Sequence, residues 1–325
     1  MISRFAQWGE GFLNATLAKN HHSALSKLKL FLALSRTPHG LLDLATPPLA
    51  ALFWLGALPP LKVIVLGLIT AFAGYTAVYA LNDLVDLRAD KERLLRGGFG
   101  DSDNYLDAVL VRHPVAHGLL GYGEGLLWAA AWGVLALIGA YLLNPVCALI
   151  FLLGCLLEAV YCVMLKISYL RTIVSGAVKT SGAMAAVFAV DPNPSFSFLI
   201  ILFLWLFFWE IGGQNIPADW TDIEEDRQFK ANTIPVRFGP QGANGMILGS
   251  LILAVMMNAV LFWITPARFG LPYLLASLVV GIYLLLFPAY ELSKTKDRLR
   301  ALALFNRASY YPLALLAVVA VKVVF

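Results

Sequence analysis

Two short acidic patterns carry the clearest chemistry in this sequence. The first is Asn82-Asp83-Leu84-Val85-Asp86-Leu87-Arg88-Ala89-Asp90, and the second is Asp219-Trp220-Thr221-Asp222-Ile223-Glu224-Glu225-Asp226. In both, aspartates recur at i, i+3 and i+7. Those positions fall within about 60° of one another on an α-helix, so each copy predicts an acidic stripe on one helix face. Like charges this close repel, and a fold keeps them where something cancels the repulsion. A single triplet favours the reading of a solvated helix end that binds nothing. Two triplets of identical spacing, each placed where a long apolar run stops, point instead to one shared site. Oxygen-rich acidic clusters suit hard divalent cations, and Mg²⁺ takes one or two protein carboxylates and fills its shell with water and substrate phosphate. Two facing stripes with Mg²⁺ between them make a diphosphate clamp.

The elements that must position these stripes are membrane spans. Of the 325 residues, 60% are hydrophobic and 14% charged, against about a quarter charged in an ordinary soluble protein. The apolar residues come in runs near the ~20 residues that cross a bilayer. Nine spans are predicted, at about 37–58, 61–81, 118–140, 144–165, 172–190, 196–218, 244–265, 270–290 and 308–325. The fold class is therefore all-α and integral to the membrane, with nine spanning helices. Residues 1–36 form a separate N-terminal segment. In it Phe5, Trp8, Phe12 and Leu13 suit either a helix face lying on the membrane surface or a solvated tail. Residues 37–325 form the membrane domain, with long connections carrying the motifs at about 82–117 and 219–243.

Charge orients the bundle. Twenty of the twenty-four Lys and Arg fall in the N-terminal segment and in residues 82–117, 166–171, 219–243 and 291–307. The alternate connections and the C-terminal end hold Lys62, Arg268 and Lys322, and Lys179 lies inside a span. By the positive-inside rule the N-terminus is cytoplasmic. Nine spans then put the C-terminus on the opposite side and both acidic motifs on the cytoplasmic face. The expected location is a bacterial inner membrane. No Lys/Arg-rich block suggests nucleic acid. Cys147, Cys155 and Cys162 share one apolar run without metal-ligand spacing, and read as small buried hydrophobes. Polar residues inside spans are costly and by default suggest function. Here they are Asp43, Glu158, Lys179, Glu210, Gln214 and Asn215. For Glu158 and Lys179 a structural pair between helices is the competing reading, and for Lys166 a lysine snorkelling to the headgroups.

Taken together, these motifs resemble those of the UbiA-type intramembrane prenyltransferases. Asn82-Asp83-x-x-Asp86-x-x-x-Asp90 looks like that family's first aspartate motif, and Asp222-Ile223-Glu224-Glu225-Asp226 like its second. Thr233-Ile234-Pro235-Val236-Arg237-Phe238-Gly239 is also similar to the family's sequence after the second motif. Motifs after the second and sixth of nine spans match its layout, so the resemblance covers nearly the whole chain. It implies nine helices bundled around a central cavity under a cytoplasmic cap formed by the loops at about 82–117 and 219–243, with Mg²⁺ held by Asn82, Asp86 and Asp90 on one side and by Asp222 and Asp226 on the other. Asp83 and Asp219, in register with each other, are included in the metal set either as ligands or as residues that hold the ligands. Tyr161 and Lys166 look similar to a tyrosine–lysine pair that reaches the diphosphate. Lys230 and Arg112 are further diphosphate candidates. One departure stands out: the family's basic stretch ending in Arg-Pro comes late here, as Arg112-His113-Pro114, after an insertion containing Phe99 to Leu110. From Tyr105 on, its apolar residues have the spacing of one face of a short helix, and such a helix suits a lid.

The chemistry implied is Mg²⁺-dependent transfer of an isoprenyl group through an allylic carbocation. Asp86, Asp222, Asp226 and Lys166 carry the charge stabilisation, and apolar and aromatic walls shield the cation. The partners are an isoprenyl diphosphate donor, a lipophilic or aromatic acceptor of the quinone-precursor type, and membrane lipid. Two other readings remain. A terpene cyclase would use the same clamp without an acceptor. An ion-coupled transporter would use Glu158 and Lys179, but duplicated acids at the membrane edge rather than its middle favour phosphate chemistry.

Overall fold

The computed structural model describes residues 24–95 and 110–324, and every regular element among them is helical. Hydrocarbon offers no partner for backbone N–H and C=O groups, so chains that cross it satisfy them internally as helices. The elements run as follows: α1 (Ala24–Leu34), α2 (Thr37–Asp43), α3 (Thr46–Leu55), α4 (Leu61–Val85), α5 (Leu87–Leu95), α6 (Tyr122–Leu143), α7 (Pro145–Val163) and α8 (Arg171–Val190). After these come α9 (Phe196–Trp209), α10 (Ile216–Thr221), α11 (Ile223–Phe229), α12 (Ile234–Ile264), α13 (Leu271–Gly281), α14 (Phe287–Thr295), α15 (Arg298–Ser309) and α16 (Tyr311–Val324).

Eight continuous helical stretches among the described residues are long and apolar enough to cross a membrane. The expected count of nine is reached only by taking α2 and α3 as one interrupted crossing. The interruption lies at Leu44–Ala45, and the sequence Thr46-Pro47-Pro48 follows it. Proline has no N–H to donate and its ring clashes with the carbonyl four residues back, so the helix restarts there instead of continuing. The last span differs in the other direction. It runs Arg298–Val323 as α15 followed by α16, ten residues longer on its N-terminal side than hydropathy indicates. Ala301, Leu304, Phe305 and Ala308 bury one face of α15 at helical spacing, while basic residues on the other face lower its mean hydropathy.

Two stretches widen into π-helical turns, Glu210–Asn215 between α9 and α10, and Ile282–Leu286 between α13 and α14. Each ends two positions before a proline, Pro217 and Pro288. The carbonyl that each ring would strike, on Gly213 or Leu284, lies inside the widened turn, which relieves the clash. Gly212 lets the first turn press on α12: a Cβ there would lie 2.9 Å from the Ile247 carbonyl oxygen. Around it α9 forms the core of the second half, with Phe198, Leu202, Trp205, Leu206 and Trp209 fully buried. Trp205 donates to the Tyr311 hydroxyl at 3.2 Å and Trp209 to the Ala308 carbonyl at 3.0 Å, tying α9 to α15 and α16.

Part of the N-terminal segment packs on the bundle: Leu34 is buried, and Phe31 stacks on Trp128 of α6 at 4.8 Å. Phe5, Trp8, Phe12 and Leu13 lie outside the described residues, as does most of the insertion from Phe99.

Candidate active site

Both acidic motifs sit where a long helix bends into a short one, and the bend falls on the middle aspartate. Asp86 lies between α4 and α5, and Asp222 between α10 and α11. The stripes are therefore angled pieces rather than one straight face. Backbone bonds from Asp90 to Asp86 (2.9 Å) and from Asp226 to Asp222 (2.8 Å) carry the helical spacing across each bend. The two motifs share the mouth of one cavity of about 500 Å³, lined by Asn82, Asp86 and Asp90 on one side and Asp219, Asp222 and Asp226 on the other. Arg93 on α5 crosses from the first motif to the second, with Nη2 2.6 Å from Asp226 Oδ1. Arg112 Nη2 lies 3.8 Å from Asp222, and Arg171 Nη1, at the start of α8, 3.4 Å from Asp219.

Asp83 is turned elsewhere. It is buried outside the cavity lining, with Arg36 at 3.5 Å and His113 Nδ1 at 3.0 Å. The same Nδ1 lies 2.9 Å from Asp90, so one imidazole bridges the first and last acids of the motif. His113 holds a left-handed backbone (φ 52), uncommon for a residue with a side chain, and both carboxylates fix it there. Burial alone would lower the His113 pKa, but the two aspartates outweigh it and hold it above its ordinary value. Burial, reinforced by Asp90, raises Asp86. Burial also pushes Asp226 up to about 6, against the opposing pull of Arg93.

Of the other expected residues, Tyr161 is in the cavity wall. Its hydroxyl accepts from Asn215 at 3.0 Å and the Arg171 guanidinium lies 4.0 Å over its ring. Arg112 is at the mouth. Lys166 is not in the lining: it is half-exposed outside the cavity, paired with Glu92 at 2.8 Å and set over the Phe229 ring at 3.7 Å. Lys230 is exposed and ends α11 in a left-handed conformation, also outside the lining. The position beside Tyr161 belongs to Arg171, which sequence reasoning passed over as one more loop charge.

Glu158 and Lys179 do not pair. Asn82 donates to Glu158 at 2.5 Å, while Lys179 lies 2.5 Å from Asp43 and 3.9 Å from Glu210. Below the mouth the cavity runs past Glu158, Lys179 and Glu210 and continues between apolar stretches of α4, α7 and α8. It extends as far as Val63 and Val190, at the helix ends remote from the motifs.

The donor set fits a hard divalent ion. The cavity-facing ligands are oxygens, and Asp219 Oδ2 is buried with no hydrogen-bond partner, as a ligand position would be. Asp83, His113 and Asp90 also cluster closely enough to hold an ion, but the imidazole already fills the space between the two acids.

A family model for the UbiA prenyltransferases matches residues 44–310. The chain belongs to the UbiA prenyltransferase family. A search of curated proteins returns no match. Solved structures do match. A UbiA homologue from Aeropyrum pernix K1 superposes with a TM-score of 0.68 at 19% identity, over 87% of this chain and 97% of that one. A digeranylgeranylglyceryl phosphate synthase gives 0.66 at 18% identity, over 92% and 99%. A UbiA homologue from Archaeoglobus fulgidus bound to DMAPP and Mg²⁺ gives 0.63 at 20%, over 90% and 99%. These likenesses establish the UbiA fold for a multi-pass membrane protein whose two motifs meet at one mouth.

Proposed function

We propose that this UbiA-family protein transfers an isoprenyl group from an isoprenyl diphosphate, held through Mg²⁺ at the two aspartate motifs, to a lipophilic or aromatic acceptor within the membrane. The observation that carries the reading is the convergence of both motifs on the mouth of one largely apolar cavity, with Arg93 and Asp226 joined across them at 2.6 Å. The Archaeoglobus homologue bound to DMAPP and Mg²⁺ supports it.

In this reading Asn82, Asp86 and Asp90 hold one side of the Mg²⁺ site, and Asp219, Asp222 and Asp226 the other. When bound, Mg²⁺ neutralises the diphosphate and eases its departure. Asp83 orients the first motif through His113 rather than reaching the ion. Arg93, Arg112 and Arg171, which face the acids, also face the diphosphate, where fixed cations favour the charge that develops as it leaves. Arg171 takes the role the family resemblance assigned to Lys166, and Tyr161 positions it. Once the allylic C1–O bond breaks, Tyr161 and the apolar wall below keep water from the cation.

The charge asymmetry supports a mouth on the cytoplasmic side, with the 82–117 and 219–243 segments as its cap and residues 37–325 as the membrane domain. Leu110 and Val111 line the mouth, and the insertion before them, where the lid was expected, lies outside the described residues. Labels at exposed Lys91 and Gln241 should react from the cytoplasmic side only, and at Asn193 and Arg268 from the other side only; reaction of Lys91 and Gln241 from opposite sides would rule out a shared mouth.

The deciding experiment incubates purified protein with isoprenyl diphosphates, Mg²⁺ and membrane lipid extract, and identifies the prenylated product by mass spectrometry. Absence of Mg²⁺-dependent consumption of every diphosphate offered would overturn the reading.

A further inference from the structure

Below the mouth lies a second polar site that the diphosphate clamp does not use. Asp43 on α2, Tyr79 on α4, Ser175 and Lys179 on α8, and Glu210 and Gln214 on the π-helical turn converge there; all but Asp43 line the cavity. Glu210 stands nine residues before Asp219 and Lys179 eight after Arg171, so the site is about 12 Å deeper than the mouth at ~1.5 Å per residue. That depth is too great for the groups that hold the diphosphate and suits a second substrate beside the donor's first isoprene unit.

Its hydrogen bonds are unbalanced in one direction. Lys179 is committed to Asp43 at 2.5 Å, and Tyr79 donates to the same carboxylate. Ser175 donates to Glu210 Oε1 at 2.7 Å, but Glu210 Oε2 has no hydrogen-bond donor, and the nearest cation, Lys179, is 3.9 Å away. Gln214 donates to Ser309 at 3.0 Å, and its Oε1 is likewise unpartnered. Both residues are over nine-tenths buried, at 6% and 3% exposed. Two buried acceptors without donors are costly unless a ligand supplies the donors. Glu210 and Gln214 belong to a π-helical turn, a distortion that recurs at functional sites.

Resting on the prenyl-transfer reading, we propose that this is the acceptor site, that it takes an uncharged head group bearing hydroxyls, and that Glu210 receives the proton the acceptor gives up. A carboxylate or phosphate head group would meet Glu210 with no uncommitted cation beside it. The step balances without a further reactant. The allylic C1–O bond breaks with its electron pair on the diphosphate. The acceptor's nucleophilic oxygen or ring carbon bonds to C1, and its proton passes to Glu210 Oε2, which later returns it to water.

The test uses the purified full chain with Mg²⁺ and geranylgeranyl diphosphate. Membrane lipid extract is split by anion exchange into neutral and acidic fractions, and a portion of the neutral fraction is acetylated to block hydroxyls. Transfer to the neutral fraction, lost on acetylation, is expected. Transfer confined to the acidic fraction would overturn the proposal, and so would transfer to neither fraction while diphosphate is still consumed. If no diphosphate is consumed at all, it is the prenyl-transfer reading that fails. In Glu210→Gln the ratio of prenylated product to free prenyl alcohol should fall about 100-fold, the scale of a lost general base. Gln214→Met, which keeps the volume and leaves the Lys179 cluster intact, should raise the half-saturating amount of neutral fraction about tenfold and leave the KM for the diphosphate in place. Wild-type ratios in Glu210→Gln with wild-type saturation in Gln214→Met would remove the assignment, and Gln214→Met alone decides it if Glu210→Gln fails to fold.

Discussion

Around the first aspartate motif the countercharge is concentrated: one imidazole, His113, touches both Asp83 and Asp90, and Arg36 backs it from the start of the first crossing. Around the second it is distributed: Asp219, Asp222 and Asp226 each face a different arginine, drawn from α8, from the segment before α6 and from α5. Equal spacing thus hides unequal construction. In the first motif the outer acids, Asp83 and Asp90, form a buried knot with cations from their own part of the fold. The second is completed by arginines contributed from the first half and from α8, so it forms only when those elements have docked. Loss of a countercharge should therefore appear as instability at the first motif and as lost turnover at the second.

The largest effect should break the comparison at the point where the motifs are alike. Asp86→Asn and Asp222→Asn should each lower Mg²⁺-dependent diphosphate turnover by about 10³-fold, near the upper range for one charge-stabilising group, while circular dichroism stays that of a folded helical protein. A thousandfold loss in one variant and near-normal turnover in the other would mean that the ion sits on a single motif. Next comes His113→Ala, which strips Asp90 of its imidazole in a buried site and leaves Asp83 to Arg36 alone. Breaking a buried pair costs about 3 kcal/mol, and thermal unfolding in detergent should register it, with a smaller drop for Arg93→Ala because Thr233 still donates to Asp226 at 3.1 Å. Equal destabilisation by the two would erase the contrast between knot and distributed site. Arg171→Ala should then reduce kcat/KM by about 10²-fold with little change in unfolding temperature relative to His113→Ala. Smallest of all is Lys166→Ala, expected within about threefold of wild type because an exposed ion pair such as that with Glu92 contributes little. A loss as large as that of Arg171→Ala would return the diphosphate role to Lys166.

How much of this was legible depends on whether partners are near in sequence. The i, i+3, i+7 spacing is a local signal, and it pointed to both motifs and, with the apolar runs, to a membrane bundle. The interruption before Thr46-Pro47-Pro48 is marked by visible prolines, but sequence alone does not separate a supported kink from a restart. Arg171 and Asp219 are forty-eight residues apart and Arg93 and Asp226 one hundred and thirty-three; no spacing rule reports such pairs, and a basic residue at a span edge looks the same whether it turns to water or to a cavity. His113 was noticed for its proline neighbour, not for the two carboxylates it bridges. The Glu158–Lys179 pairing failed for a related reason: two opposite charges inside the membrane invite each other on paper, while helix rotation gave Lys179 to Asp43.

The π-helical turn before Pro217 has a consequence for how this protein tolerates insertions and deletions. A helix converts residue count into direction, about 100° per residue. The widened turn holds one residue more than an α-helix would need for the same rise, so everything after it is rotated by that one step. Asp219 and Asp222 owe their orientation over the cavity to that rotation. Removing a single residue between Glu210 and Asn215, with no acid altered, would straighten the turn and swing the second motif aside, while loop insertions many residues long elsewhere would leave it in place.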